Sequence, residues 1–84
     1  MLLKKLNDEL RERFSVPDDI EGLLVADVQS DSAFDGKLEP PMVILEINGE
    51  AVKTPDEVED NLKDGMNRLY VWAGGQKRFI VLKL

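Results

Sequence analysis

Cysteine and histidine are both missing from the 84 residues. Without cysteine there is no disulfide, no thiolate metal ligand and no thiol nucleophile. Without histidine, neither a serine–histidine relay nor a zinc–histidine centre can be assembled within the chain. A cysteine-free chain carries no mark of its redox compartment. Aromatic residues are few, with one Trp, one Tyr and three Phe, and they form no aromatic-plus-basic stripe of the kind that stacks nucleobases. Basic charge is also in deficit: 11 Lys and Arg against 17 Asp and Glu leave a net charge of −6. That balance disfavours nucleic acid and anionic membranes as partners. No apolar run approaches the roughly 20 residues needed to cross a bilayer, so no membrane insertion is expected. The opening MLLKKLNDEL is too charged, and its apolar part too short, for a signal peptide.

What is present is an ordinary globular balance, with 43% hydrophobic and 33% charged residues. It fits one domain, residues 1–84, with one modest core. A core of this size leaves only a few kcal/mol of net stability, so turns and caps matter. The clearest local signal is Val43 to Val52, VILEINGEAV. Asn48-Gly49 interrupts an apolar run, and both residues tolerate positive φ, so the segment reads as a strand, a tight turn and a second strand. The strand spans Met42 to Asn48 and the stub that follows spans Ala51 to Lys53.

Upstream, Met1 to Leu6 is extended. Asn7 caps a short helix over residues 7–14, with Asp8 and Glu9 in its first turn. Leu6, Leu10 and Phe14 share one face at spacings of four, which a core would cover. Pro17 stops the helix near Ser15 or Val16. Gly22 opens an apolar strand, Leu23 to Val28. A polar turn over Gln29–Ser32 leads to a single helical turn at Ala33, Phe34 and Asp35, capped by Asp31 or Ser32 and closed by Gly36.

Thr54-Pro55-Asp56-Glu57 is a helix start, with Thr54 as cap, Pro55 at the first helical position and Glu57 able to complete a capping box. Val58 and Leu62 form the buried face, and Gly65 ends the helix. Asp56, Glu57, Glu59 and Asp60 are dipole partners on a solvated face rather than a metal or acid–base site. The last segments, Leu69 to Ala73 and Lys77 to Leu84, form a hairpin around Gly74-Gly75-Gln76, in which Trp72 and Phe79 face each other. The order predicts an α+β, mainly β fold: a small, partly open β-barrel of five to six short strands closed by two helices.

One ordered set of residues carries a family likeness. Gly22-Leu23-Leu24-Val25 with Val28, Ser32-Ala33, Leu38-Glu39-Pro40, Val43-Ile44 and Ile47-Asn48-Gly49 resemble the pattern of a bacterial PDZ domain. The helix from Pro55 and the strands Leu69–Val71 and Phe79–Leu82 continue it. Leu6-Asn7-Asp8-Glu9-Leu10-Arg11 is similar to the element that precedes the glycine strand in PDZ domains of HtrA-like (Deg-type) bacterial serine proteases. The chain departs from the pattern in four places. Ser32-Ala33 lacks an intervening proline, Pro41-Met42 replaces glycine–aspartate, and Ala73 stands where arginine is common. The glycine of the carboxylate-binding loop, due just before Leu2 or Leu3, is not found from Met1 onward, so either the chain begins just inside that loop or the domain lacks a proper one.

The resemblance implies a non-catalytic module, excised from a longer protease chain, that accepts an extended or C-terminal hydrophobic peptide as an added strand. The accepting edge would be Leu2, Leu3, Lys4 and Lys5. The opposing helix would present Pro55, Glu59 and Leu62 as its first, fifth and eighth positions, with Val58 behind them. Leu2 and Leu62 would line an end pocket. Glu59 would favour a basic or hydroxyl-bearing residue two positions upstream of the peptide end. Lys4 and Lys5 would attract acidic segments or guard the edge against aggregation.

Expected partners are peptides, unfolded-protein segments or neighbouring protease subunits, in a periplasmic or cell-envelope setting, with no cofactor and no metal. An alternative is an assembly domain that holds subunits together with its groove unused. An independent enzyme has only carboxylates, Tyr70, Ser15, Ser30 and Ser32 to draw on, with no histidine, cysteine or recognisable acid pair.

Overall fold

Asn48 and Gly49 take φ values of 52° and 87°, the two left-handed positions that a two-residue type I′ turn requires. The turn joins β3 (Val43–Ile47) to β4 (Glu50–Ala51), with Ile47 opposite Glu50. A computed structural model describes residues 1–84 and also contains β1 (Leu2–Lys5), α1 (Asp8–Phe14), β2 (Leu23–Asp27), α2 (Pro55–Asn61), β5 (Met66–Ala73) and β6 (Gln76–Lys83). All six strands belong to one sheet in the order β1-β2-β3-β5-β6, with β4 attached to β3. Every pairing is antiparallel. The sheet does not close on itself, so β1 and β6 are the free edges at its two ends, and the two-residue β4 pairs only with β3.

Alternation along the strands sends side chains to both faces, and each face carries its own core. On one face Leu23, Val25, Ile44, Ile47, Leu69, Val71 and Leu82 pack with Leu38, Met42, Val52 and Val58 of α2. On the other, Leu24, Val43, Leu45 and Trp72 pack with Val16 and Ile20, covered by Leu6, Leu10 and Phe14. The apolar stripe of α1 therefore faces the sheet as its spacing requires. Asn7 Oδ1 accepts the Leu10 N–H at 2.8 Å, and Ser15 ends the helix in the left-handed region at φ 56°. Arg11 then pins the following loop, donating to the Pro17 and Ile20 carbonyls at 2.7 and 2.6 Å.

Several boundaries differ from the sequence expectation. The strand from Leu23 ends at Asp27, and the stub after the turn is Glu50–Ala51 rather than Ala51–Lys53. No side chain of Asp31 or Ser32 caps a helical turn. The segment is a chain of turns in which Asp35 and Leu38 N–H groups donate to the Ser32 and Phe34 carbonyls, and the Asp35 carboxylate accepts the Asp31 N–H at 3.2 Å. At Pro40-Pro41 the turn closes through Met42 N–H to the Glu39 carbonyl at 3.0 Å, with no glycine needed.

The last hairpin turns on two residues, Gly74 and Gly75, not three. Ala73 pairs with Gln76, which puts Trp72 opposite Lys77 and Phe79 opposite Tyr70. The Tyr70 and Phe79 rings lie 4.6 Å apart, while Trp72 is buried in the α1-side core.

Candidate functional site

The first helical turn of α2 is built as its sequence requires. Thr54 Oγ1 accepts the Glu57 N–H at 3.3 Å, and the Glu57 carboxylate accepts the Lys53 N–H at 3.2 Å. Pro55 occupies the N-terminal turn, where a missing N–H costs nothing. The far end is fixed by side-chain amides rather than by Gly65. Asn61 Nδ2 donates to the Glu57 carbonyl at 2.8 Å, and Asn48 Nδ2 donates to the Asn61 carbonyl at 2.9 Å. These bonds satisfy carbonyls that a helix end leaves open. Leu62 is consequently the first residue beyond the helix, in extended conformation at ψ 142°, not the eighth position of a longer one.

Val58 is buried and holds α2 on the sheet face, but the helix stands off from the β1 edge. Between them lies a groove of about 370 Å³ lined by Met1, Leu2, Leu3, Phe34, Pro55, Asp56, Val58, Glu59 and Leu62. That volume falls at the small end of the range for ligand pockets. Six of the eight residues singled out from the sequence, Leu2, Leu3, Pro55, Val58, Glu59 and Leu62, come together here. Lys4 and Lys5 lie on the same strand but outside the groove lining, exposed to solvent.

Three further residues, Met1, Phe34 and Asp56, line the groove beyond those the sequence points to. Phe34 carried a legible signal: it is a large aromatic in an otherwise polar segment, Gln29 to Lys37. It packs half-buried against the α2-side core. Asp56 carried none, because an acid at the second helical position looks like any dipole partner.

The groove wall is apolar and its rim negative. Leu2 is 53% exposed, an open apolar surface beside the strand edge. Neither Asp56 nor Glu59 is in an ion pair, since the one salt bridge of the molecule joins Arg13 to Glu9. β1 hydrogen-bonds β2 on one side and no strand on the other. A strand entering there would meet unpaired backbone groups, the apolar faces of Leu3, Val58 and Leu62, and two free carboxylates. No group of three or more His, Cys, Asp or Glu side chains is placed to hold a metal ion.

The chain is similar in structure to an HtrA3 PDZ domain solved with a phage-derived ligand (FGRWV), with a TM-score of 0.76 and 17% sequence identity over 99% of this chain and 79% of that one. No protein-family model matches the sequence, and no curated protein matches it. The likeness establishes the architecture: the fold is PDZ-like, an open antiparallel sheet of six strands with two helices.

Proposed function

We propose that this chain is a peptide-binding module that takes an extended or C-terminal hydrophobic peptide segment as an additional strand along β1. The observation that carries the reading is the free β1 edge facing α2 across an apolar groove. Backbone hydrogen bonds to the edge supply affinity that is indifferent to sequence. Side chains on alternate peptide positions meet the groove and supply specificity. One aliphatic side chain buried between Leu2, Val58 and Leu62 contributes about 1.5–3 kcal/mol. Glu59 and Asp56 at the rim favour a basic or hydroxyl-bearing residue near that end. A short peptide loses much conformational freedom on binding, so the affinity is on the order of micromolar or weaker, about 8 kcal/mol or less.

The parent is then a serine protease of the HtrA type in the periplasm or cell envelope, for which the module recognises exposed hydrophobic segments or regulates the protease, while chemistry resides in another domain. Support for this extension is the resemblance carried by Leu6–Arg11 and Gly22–Val28. Amide NMR titration with end-matched hydrophobic peptides tests the groove. Shifts are expected across residues 1–6 and 55–63. Shifts confined elsewhere, or equal affinity for lysine and glutamate two positions from the peptide end, overturn the reading. Cell fractionation and the coding sequence upstream of Met1 test the setting.

A further inference from the structure

The opposite edge of the sheet is as free as the first. Gly65 and Leu84 exchange both backbone hydrogen bonds at 2.9 Å, and they continue the β5–β6 register in which Asn67 faces Leu82 and Ala73 faces Gln76. Hydrogen-bonded and non-bonded pairs alternate in an antiparallel ladder. Lys77, Phe79, Val81 and Lys83 therefore occupy the non-bonded positions, and their N–H and C=O groups point away from β5. No strand pairs with that side.

The same four residues direct their side chains to the α1 face of the sheet, beyond the reach of α1. Leu6, Leu10 and Phe14 cover a cluster that extends over β2, β3 and β5 as far as Tyr70 and Trp72 and includes no residue of β6. Phe79, Val81 and Met66 are left 61%, 49% and 57% exposed, with Arg68 5.2 Å over the Phe79 ring.

Charge separates along the chain in the same way. Residues 65–84 contain Arg68, Lys77, Arg78 and Lys83 and no acid, so this hairpin carries +4. With the whole chain at −6, residues 1–64 carry −10. Beside the end of β6 a shallow depression is lined by Asn48, Lys63, Met66, Asn67, Arg68 and Val81, with two cations and no anion.

We propose that the β6 edge is a second protein-docking surface, which accepts an extended segment whose alternate side chains read acidic, apolar, apolar, acidic. Such a segment pairs its backbone with Lys77, Phe79, Val81 and Lys83. Its apolar pair covers Phe79 and Val81. One acid meets Lys83 with the Lys63–Arg68 depression, and the other meets Lys77, the one cation of a second depression that Asp19, Glu21 and Glu46 also line. A second copy of this chain fits less well. The fully overlapped antiparallel register sets Lys77 against Lys83 of the second copy at both ends, and like charges directly opposite are destabilising. A flat anionic membrane leaves the row of outward backbone groups unpaired and brings the −10 remainder toward its own charge.

The test uses the peptide TESVTISET, acetylated and amidated so that it has no free carboxylate, and the control TKSVTISKT. The expected result is amide shifts centred on residues 76–83, with the control bound about tenfold more weakly and the difference shrinking at high salt. The double variant Lys77→Glu/Lys83→Glu should reverse the preference. Val81→Pro removes an outward N–H without touching the β5 ladder and should weaken binding while the thermal midpoint shows the fold intact.

The proposal is overturned by equal affinity for the two peptides, by no binding of either, or by shifts confined to residues 2–5 and 55–62. A dimer of the wild-type chain abolished by the double variant, or binding to phosphatidylserine vesicles but not to TESVTISET, also overturns it. Failure of the β1 groove with hydrophobic-ended peptides leaves these outcomes unchanged.

Discussion

Replacing Asn67 with alanine should remove a large share of the stability of this domain, because one side chain joins three segments. Asn67 is the only buried polar residue, 1% exposed. Its Oδ1 accepts the Lys63 N–H at 2.9 Å and Asn48 Nδ2 at 3.0 Å. Its Nδ2 donates to the Lys63, Gly65 and Leu82 carbonyls at 2.8, 3.2 and 3.5 Å. Asn48 in turn accepts the Arg68 N–H at 2.9 Å and holds the Asn61 carbonyl. The cluster thus ties the β3–β4 turn, the end of α2 and the start of β5 together, and it fixes where the α2 wall of the groove stands.

Four of the five Asn67 contacts have good length, each worth about 1 kcal/mol net. Water reaches Lys63 and Gly65 more easily than Leu82, which recovers part of the loss. The expected cost is about 3 kcal/mol, a midpoint shift of roughly 12–24 °C for a domain of this size, against a total stability on the order of 4–13 kcal/mol. Urea unfolding followed by the fluorescence of Trp72, the one tryptophan and buried in the α1-side core, measures it. Asn48→Ala and the double variant complete a cycle with a coupling energy of about 1–2 kcal/mol. A cost below about 1 kcal/mol for Asn67→Ala, or strict additivity with Asn48→Ala, refutes the reasoning.

Gly22→Ala should prevent stable folding at room temperature or cost at least about 3 kcal/mol, since a Cβ there would sit 2.1 Å from the Ile44 carbonyl oxygen. Circular dichroism with a thermal melt checks this, and a melt unchanged from wild type contradicts it. Ser15→Gly should stabilise by about 0.5–1 kcal/mol, because Ser15 closes α1 at φ 56°, where a Cβ is unfavourable. Urea midpoints decide the sign. Glu59→Lys should reverse the groove's preference near the peptide end from lysine to glutamate, with stability unchanged because Glu59 is exposed and outside any ion pair. Isothermal titration with the two end-matched peptides measures the reversal, and an unchanged ranking removes Glu59 from the site.

Much of the local structure is legible in the sequence. Asn48-Gly49 announced its turn through backbone conformation alone, Asn7 and Thr54 announced their helices through capping, and the Leu6–Leu10–Phe14 spacing announced the covered face of α1. Each signal acts within a few residues, so sequence order suffices. The β5 start at Met66 was hidden because Asn67 looks like a turn residue. It is buried only because its amide satisfies the backbone of the turn at Lys63–Gly65. The Tyr70–Phe79 pairing is not legible in the sequence, because one residue of loop length at Gly74-Gly75 shifts every cross-strand partner.

Sequence alone determined most of the strands, the Asn7 and Thr54 caps, the absence of thiol and imidazole chemistry, and most of the residues that come to line the groove. Tertiary structure decided how those residues meet. The strand order leaves β1 and β6 as the two open edges, and the Asn48–Asn61 bond ends α2 one residue before Leu62. A short α1 leaves Phe79 and Val81 uncovered. These outcomes depend on contacts between residues far apart in the chain, formed by packing two apolar layers on one sheet, and no local propensity encodes them.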